Sequence, residues 1–142
     1  MTRENDGATC FFDGCCEPVN PGGTAAYGWV AYYGKERQQG HGVVGRGDGM
    51  TNNVGEYAGL LSLMSWLDER KIDKAKIYGD SSMVVEMAAG RWGKKNPHKK
   101  APHLIPWLMK CREIIGRHPD WSLSWIPREE NTEADTLSKI HK

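Results

Sequence analysis

The sequence lacks any apolar run of the roughly 18 residues that a membrane-crossing helix requires. Its first ten residues, MTRENDGATC, contain no apolar secretory core, so no signal peptide is expected. No repeats or linkers are seen, and no C-x-x-C pair indicates a zinc site. Four cysteines in 142 residues are too few for a disulfide scaffold, and two of them, Cys15 and Cys16, are adjacent. They read as reduced, buried thiols in a cytoplasmic chain. Net charge is almost absent, at +1, which alone predicts no polyanion partner. What remains is ordinary for a globular chain: 39% hydrophobic and 26% charged residues, with length for a single domain spanning residues 1–142.

The near-zero total hides an asymmetry. Residues 91–118 carry eight Lys or Arg against one acid, Glu113, so that segment is +7 and the remainder −6. A basic segment beside an acidic remainder suits contact with a phosphate backbone near a carboxylate-rich metal site. Trp92 and Trp107, interleaved in the segment, offer stacking surface or core.

Hydrophobic periodicity supplies the elements. Residues 8–17, 24–33 and 36–45 read as three strands joined by short turns, an antiparallel meander. The period changes over 51–70, where Val54, Tyr57, Leu60, Leu61, Met64 and Leu67 share one helical face. A strand over 74–78, a helix over 81–89, and a basic loop over 90–102 follow. A helix over 103–116, a strand over 121–126 and a helix over 130–140 complete the chain. Alternating strand and helix in the second half predicts an α/β fold, a mixed sheet with helices on its faces.

Four acids stand in awkward places. Asp13 follows two phenylalanines in a strand, where Asp is disfavoured, although Asp13-Gly14 also suits a turn. Glu56 lies on or beside the apolar helix face, although Asn53-x-x-Glu56 also reads as a capping box. Asp80 ends the strand KIYGD, where it can cap the next helix or occupy the strand end at which ligand chemistry concentrates. Asp135 lies in the last helix, four after Asn131, among surface acids. If these element ends converge, four carboxylates cannot all ionise without cations. Hard divalent ions with oxygen ligands, Mg²⁺ or Mn²⁺, are the natural partners, and two of them form a clamp for in-line phosphoryl displacement.

The stretches FFDGCC, TNNVGEY, YGDSSMVV and REENTEADTLSK, in this order and spacing, resemble type 1 ribonuclease H, the ribonuclease HI family. The resemblance runs from about residue 8 to 140. It implies a mixed five-stranded sheet of three antiparallel and two parallel strands, flanked by helices. It implies hydrolysis of the RNA strand of RNA–DNA hybrids by two Mg²⁺ or Mn²⁺ ions, leaving 5′-phosphate and 3′-hydroxyl ends. Asp13 would bridge both ions, Glu56 and Asp80 would hold the ion beside the leaving group, and Asp135 the ion that activates water.

Substrate contacts follow by the same resemblance. Thr51, Asn52 and Asn53 match the segment that meets a DNA phosphate and the minor groove. Gly14, Cys15 and Cys16 match the segment whose backbone approaches RNA 2′-hydroxyls, and Asn20-Pro21-Gly22 matches a recurrent turn. Recognition is expected by hybrid shape with little base readout. Two departures stand out. The loop Trp125–Asn131 has no His, where many members carry a mobile one, and Arg128 occupies the region, within reach of the phosphate. The basic protrusion of some members is reduced to RWGKKNP, whose Trp92, Lys94 and Lys95 are expected near the DNA strand. No hybrid-binding domain is expected ahead of Asp13, so affinity should be modest and salt-dependent in a monomer. Integrases, transposases and junction resolvases share such a carboxylate-bearing sheet but cut DNA, and the T-N-N-x-x-E block argues against them. The four intact acids argue against a non-catalytic binding module.

Overall fold

The computed structural model describes residues 7–91, 98 and 101–140. Strands β1 (Ala8–Glu17), β2 (Thr24–Tyr33) and β3 (Glu36–Arg46) form the expected meander. Helix α1 (Asn52–Glu69), strand β4 (Ala75–Gly79), helix α2 (Ser82–Ala88), helix α3 (Ile105–Ile115), strand β5 (Trp121–Trp125) and helix α4 (Thr132–Ser138) follow. Pro106 falls in the first turn of α3, where its missing N–H costs nothing, so it starts the helix without kinking it. The last helix is shorter than 130–140 because a 3₁₀ turn over Arg128–Glu130 precedes it.

The sheet order is β3-β2-β1-β4-β5, with β1–β2 and β2–β3 antiparallel and β1–β4 and β4–β5 parallel. This is the mixed five-stranded sheet expected. The central strand, β1, outruns its parallel neighbour. Its pairing with β4 ends at Phe12↔Gly79, so Asp13 and Asp80 each lie one residue beyond the last pair. Adjacent parallel strands lie about 4.8 Å apart, which makes these two carboxylates neighbours.

Helix α1 is buried along most of its length. Leu60, Leu63, Met64 and Leu67 are fully enclosed, each worth about 1.5–3 kcal/mol of burial. The face differs from the expected one at one point: Leu61 is half-buried at the periphery of the core and Leu63 takes the interior position. The N-caps also differ. Thr51, not Asn53, caps α1, its hydroxyl accepting from Val54 N at 3.2 Å. Ser81, not Asp80, caps α2. Glu56, the acid of the expected Asn53 capping box, and Asp80 are thereby released from local capping.

Two glycines let helices close on β1 and β2. A Cβ on Gly14 would sit 2.1 Å from Glu56 N in α1. A Cβ on Gly28, the residue paired with Asp13, would sit 2.5 Å from Ser138 N and Leu137 Cβ in α4. Side chains alternate across a strand, so the two helices cover opposite faces of the same strand pair.

The basic segment is less of a free loop than its composition suggests. Its residue His98 is fully buried, with Nε2 2.5 Å from the Tyr57 hydroxyl and the two rings edge to face. Trp92, Lys94 and Lys95 lie outside the described residues. Trp107 packs against the core.

Candidate active site

Asp13, Glu56 and Asp80 each offer a carboxylate oxygen within 4.8 Å of the others. Asp13 is 5% exposed and Glu56 3%. Asp13 is delivered by β1 at the point where the strand loses its neighbour, Glu56 by the fifth residue of α1, whose backbone lies against Gly14, and Asp80 by the residue after β4. Burial foremost pushes the Asp13 carboxyl up to about 7. Hydrogen bonds from Glu56 and Gly14 pull against that rise, while the charges of Asp80 and Asp135 add to it. Burial, then the charge of Asp13, likewise drives Glu56 well above the ordinary carboxyl range.

Asp135 stands on the wall of the same cleft, which encloses about 220 Å³. Its charge is felt at Asp13. Its cationic partner is Lys139, with Nζ 3.4 Å from Oδ1 one helical turn on. Lys139 also reaches Glu17 at 3.9 Å.

The donor set suits a hard divalent ion. It consists of carboxylate oxygens without thiolate or imidazole among the three grouped acids. Glu56 Oε2 is buried without a hydrogen-bond partner, an arrangement that is costly unless a cation completes it.

The family model for reverse transcriptase-like proteins matches residues 11–141. The chain belongs to this family. It is 31% identical over 130 residues to ribonuclease HI of Halobacterium salinarum, covering 90% of this chain. It spans 60% of the length of that relative and about 30% of the mycobacterial relatives it also matches. The crystal structure of the Halobacterium ribonuclease H1 superimposes with a TM-score of 0.78 at 29% identity, over 96% of this chain and 94% of that one. LC11-ribonuclease H1, isolated from compost and solved in complex with an RNA/DNA hybrid, gives 0.74 at 25% identity over 92% of each chain. The resemblance to type 1 ribonuclease H therefore holds along nearly the whole chain, in fold as in sequence.

Within this family member, the expected substrate residues fall in different places. Gly14, Cys15, Cys16, Asn20, Asn52 and Arg128 all line the cleft beside the acids. Asn20 and Asn52 lock together, Asn20 Nδ2 donating to Asn52 Oδ1 at 2.9 Å and Asn52 N donating to Asn20 Oδ1 at 3.2 Å. That exchange ties the Asn20-Pro21-Gly22 turn to the start of α1. Thr51 spends its hydroxyl on the helix cap, and Asn53 is half-buried beside it. Cys15 and Cys16 are buried thiols that donate to backbone carbonyls, Cys15 to Ser138 at 3.2 Å and Cys16 to Val19 at 3.2 Å. Cys10 and Cys111 are also reduced and buried. Arg128 is exposed and makes no ion pair among the described residues.

Sequence reasoning missed three residues here. Asn131 is 1% exposed and sends its amide nitrogen to two acceptors, Phe12 O at 2.8 Å and Asp80 Oδ2 at 3.0 Å. Trp125, half exposed, donates its indole N–H to Asp80 O at 3.1 Å. Lys139 is the cation paired with Asp135 on the cleft wall. The only sequence signal was the spacing of Asn131 and Lys139, each four residues from Asp135 and on its helical face.

Proposed function

We propose that this chain is an endoribonuclease that hydrolyses the RNA strand of RNA–DNA hybrids. One observation carries the reading: Asp13, Glu56 and Asp80 converge within 4.8 Å on the strand ends of this family's sheet, with Asp135 on the same cleft. These four acids would hold two Mg²⁺ or Mn²⁺ ions. When bound, such ions supply a water of lowered pKa and neutralise charge on the attacking and leaving oxygens of the phosphate.

The chain's own contribution is positioning. Asn131 and Trp125 fix Asp80 at its carboxylate and its carbonyl. The close approach of the Glu56 backbone to Gly14 brings its buried carboxylate beside Asp13. The backbone of Gly14–Cys16, which lines the cleft, would meet RNA 2′-hydroxyls, which distinguish RNA from DNA. The Asn20–Asn52 pair presents amides at the rim for the hybrid's minor groove. Arg128 faces the cleft and meets the phosphate. The Trp125–Asn131 loop has no His to protonate the leaving 3′-oxygen, and products carry 5′-phosphate and 3′-hydroxyl ends. Lys94 and Lys95 add the phosphate contacts that make affinity dependent on salt, with Trp92 near the same DNA strand. The enzyme acts as a monomer in the cytoplasm. Among the described residues no helix is long and apolar enough to cross a membrane.

The test is a hybrid labelled on each strand, incubated with Mg²⁺, Mn²⁺ or EDTA, beside single-stranded RNA and duplex DNA. Metal-dependent cutting of the hybrid's RNA strand alone is the expected result. Cutting of DNA, or tight hybrid binding without cutting, overturns the reading.

A further inference from the structure

The cleft wall carries its own cation. Lys139 Nζ lies 3.4 Å from Asp135 Oδ1 and 3.9 Å from Glu17 Oε1, between two acids of elements far apart in sequence, β1 and α4. Its backbone position is fixed. The preceding residue, Ser138, is 1% exposed, accepts the Cys15 thiol on its carbonyl at 3.2 Å, and donates its own hydroxyl to Asp135 O at 2.7 Å. The close approach of α4 to Gly28 leaves that turn no room to shift. The ammonium end is free to move, since the side chain is 40% exposed.

Electrostatics gives this arrangement a direction. Asp13, Glu56, Asp80, Asp135 and Glu17 crowd one cleft, and a monovalent cation on a flexible stem is a weak substitute for a divalent ion. Whatever divalent ion Asp135 accepts must first part it from Lys139. It must then tolerate a positive charge a few ångströms away. The inner acids face no such competitor: among the described residues, no lysine, arginine or histidine pairs with Asp13, Glu56 or Asp80.

We propose that Lys139 is a built-in counter-ion that competes with the divalent ion at Asp135 and so sets the affinity of the outer ion below that of the inner one. Lys139 is thus a positioning residue of the metal site, with two consequences. In the metal-free protein it holds Asp135 in place and limits repulsion across the cleft. In the loaded protein it swings away, taking Glu17 as its remaining partner. The inference rests on the two-ion reading above.

The test is Mn²⁺ binding to the whole chain, followed by calorimetry and by the electron paramagnetic resonance of free Mn²⁺. Lys139→Gln is expected to tighten the weaker of two Mn²⁺ sites about three- to tenfold and leave the stronger unchanged. Lys139→Arg, which keeps the charge, should stay within about twofold of wild type. In an Asp135→Asn background the Gln substitution should have no further effect. Thermal melts of each variant confirm that it folds. An unchanged or weaker second site in Lys139→Gln overturns the role of Lys139 while leaving the two-ion reading intact. Wild-type protein that binds no Mn²⁺ overturns both.

Discussion

Asn131 Nδ2 donates to Asp80 Oδ2 at 3.0 Å while also donating to the carbonyl of Phe12 at 2.8 Å. One buried amide thus joins the start of α4 to the ends of β1 and β4, at the place where these two parallel strands stop pairing. Asn131→Ala leaves the Phe12 carbonyl unsatisfied and Asp80 free to rotate. The expected cost is about 1–3 kcal/mol in urea unfolding, with a cleavage rate lowered more than about tenfold. A variant of wild-type rate would show that Asp80 is held in place without it.

Asp80→Asn keeps the shape and the acceptor for Asn131 but removes a charge from a crowded site. Metal-free stability should be equal to wild type or higher by up to about 1 kcal/mol, because a repulsion is relieved. Cleavage should fall at least about 100-fold. Thermal melts and hybrid-cleavage rates read the two separately, and retained full activity would remove Asp80 from the ion site.

Asp13 couples the site to pH. Its carboxyl is pushed up to about 7, mainly by burial, so it keeps a proton in the folded chain after the unfolded chain has lost it. Metal-free stability should therefore decline as pH rises between about 4 and 7, the window between the two states' values. An ion must displace that proton, so Mg²⁺ affinity should climb with pH below about 7 and level off above. Calorimetric titrations across that range and about one unit beyond it would measure this, and a flat affinity would mean that Asp13 enters the site already ionised.

Gly28→Ala tests the packing that brings Asp135 to the cleft. The added methyl meets backbone and Cβ atoms of α4 at 2.5 Å, none of which is the end of a flexible side chain. Moving α4 outwards should cost about 1–3 kcal/mol and weaken Mn²⁺ binding at Asp135. Unchanged melting and unchanged binding together would mean that α4 adjusts freely.

Arg128 and the basic segment separate turnover from affinity. Arg128→Ala should lower kcat severalfold with stability altered by less than about 0.5 kcal/mol, as for an exposed residue. Lys94→Ala with Lys95→Ala should weaken hybrid binding and flatten its salt slope by about one for each phosphate no longer neutralised. An unchanged slope would place the two lysines away from the hybrid.

The element order and the mixed sheet were legible because periodicity is a local property, and β1–β5 recur within a residue or so of their expected spans. Asp13 was legible because an Asp after two phenylalanines contradicts its surroundings. The caps were not, since Asn53 and Asp80 are as good cap residues as Thr51 and Ser81, and only backbone placement decides between neighbours. Asn131, Lys139 and Glu17 looked like turn or surface residues. The contacts of Asn131 with Phe12 and Asp80, and of Glu17 with Lys139, span much of the sequence, and no local pattern encodes them; only the four-residue spacing of Lys139 from Asp135 was local. Glu56 shows the reverse: its capping-box spacing gave an ordinary local account, and its burial beside Asp13 overrules it.

The cleft draws its acids from the first strand, the first helix, the fourth strand and the last helix. None of these pieces holds a pair of ions by itself. A chain with α4 frayed keeps only part of this set of acids, and on the proposed two-ion reading it leaves a hybrid uncut. Strand cleavage is therefore a stringent gauge of whether the entire fold has closed, more so than any spectroscopic signal from a single element.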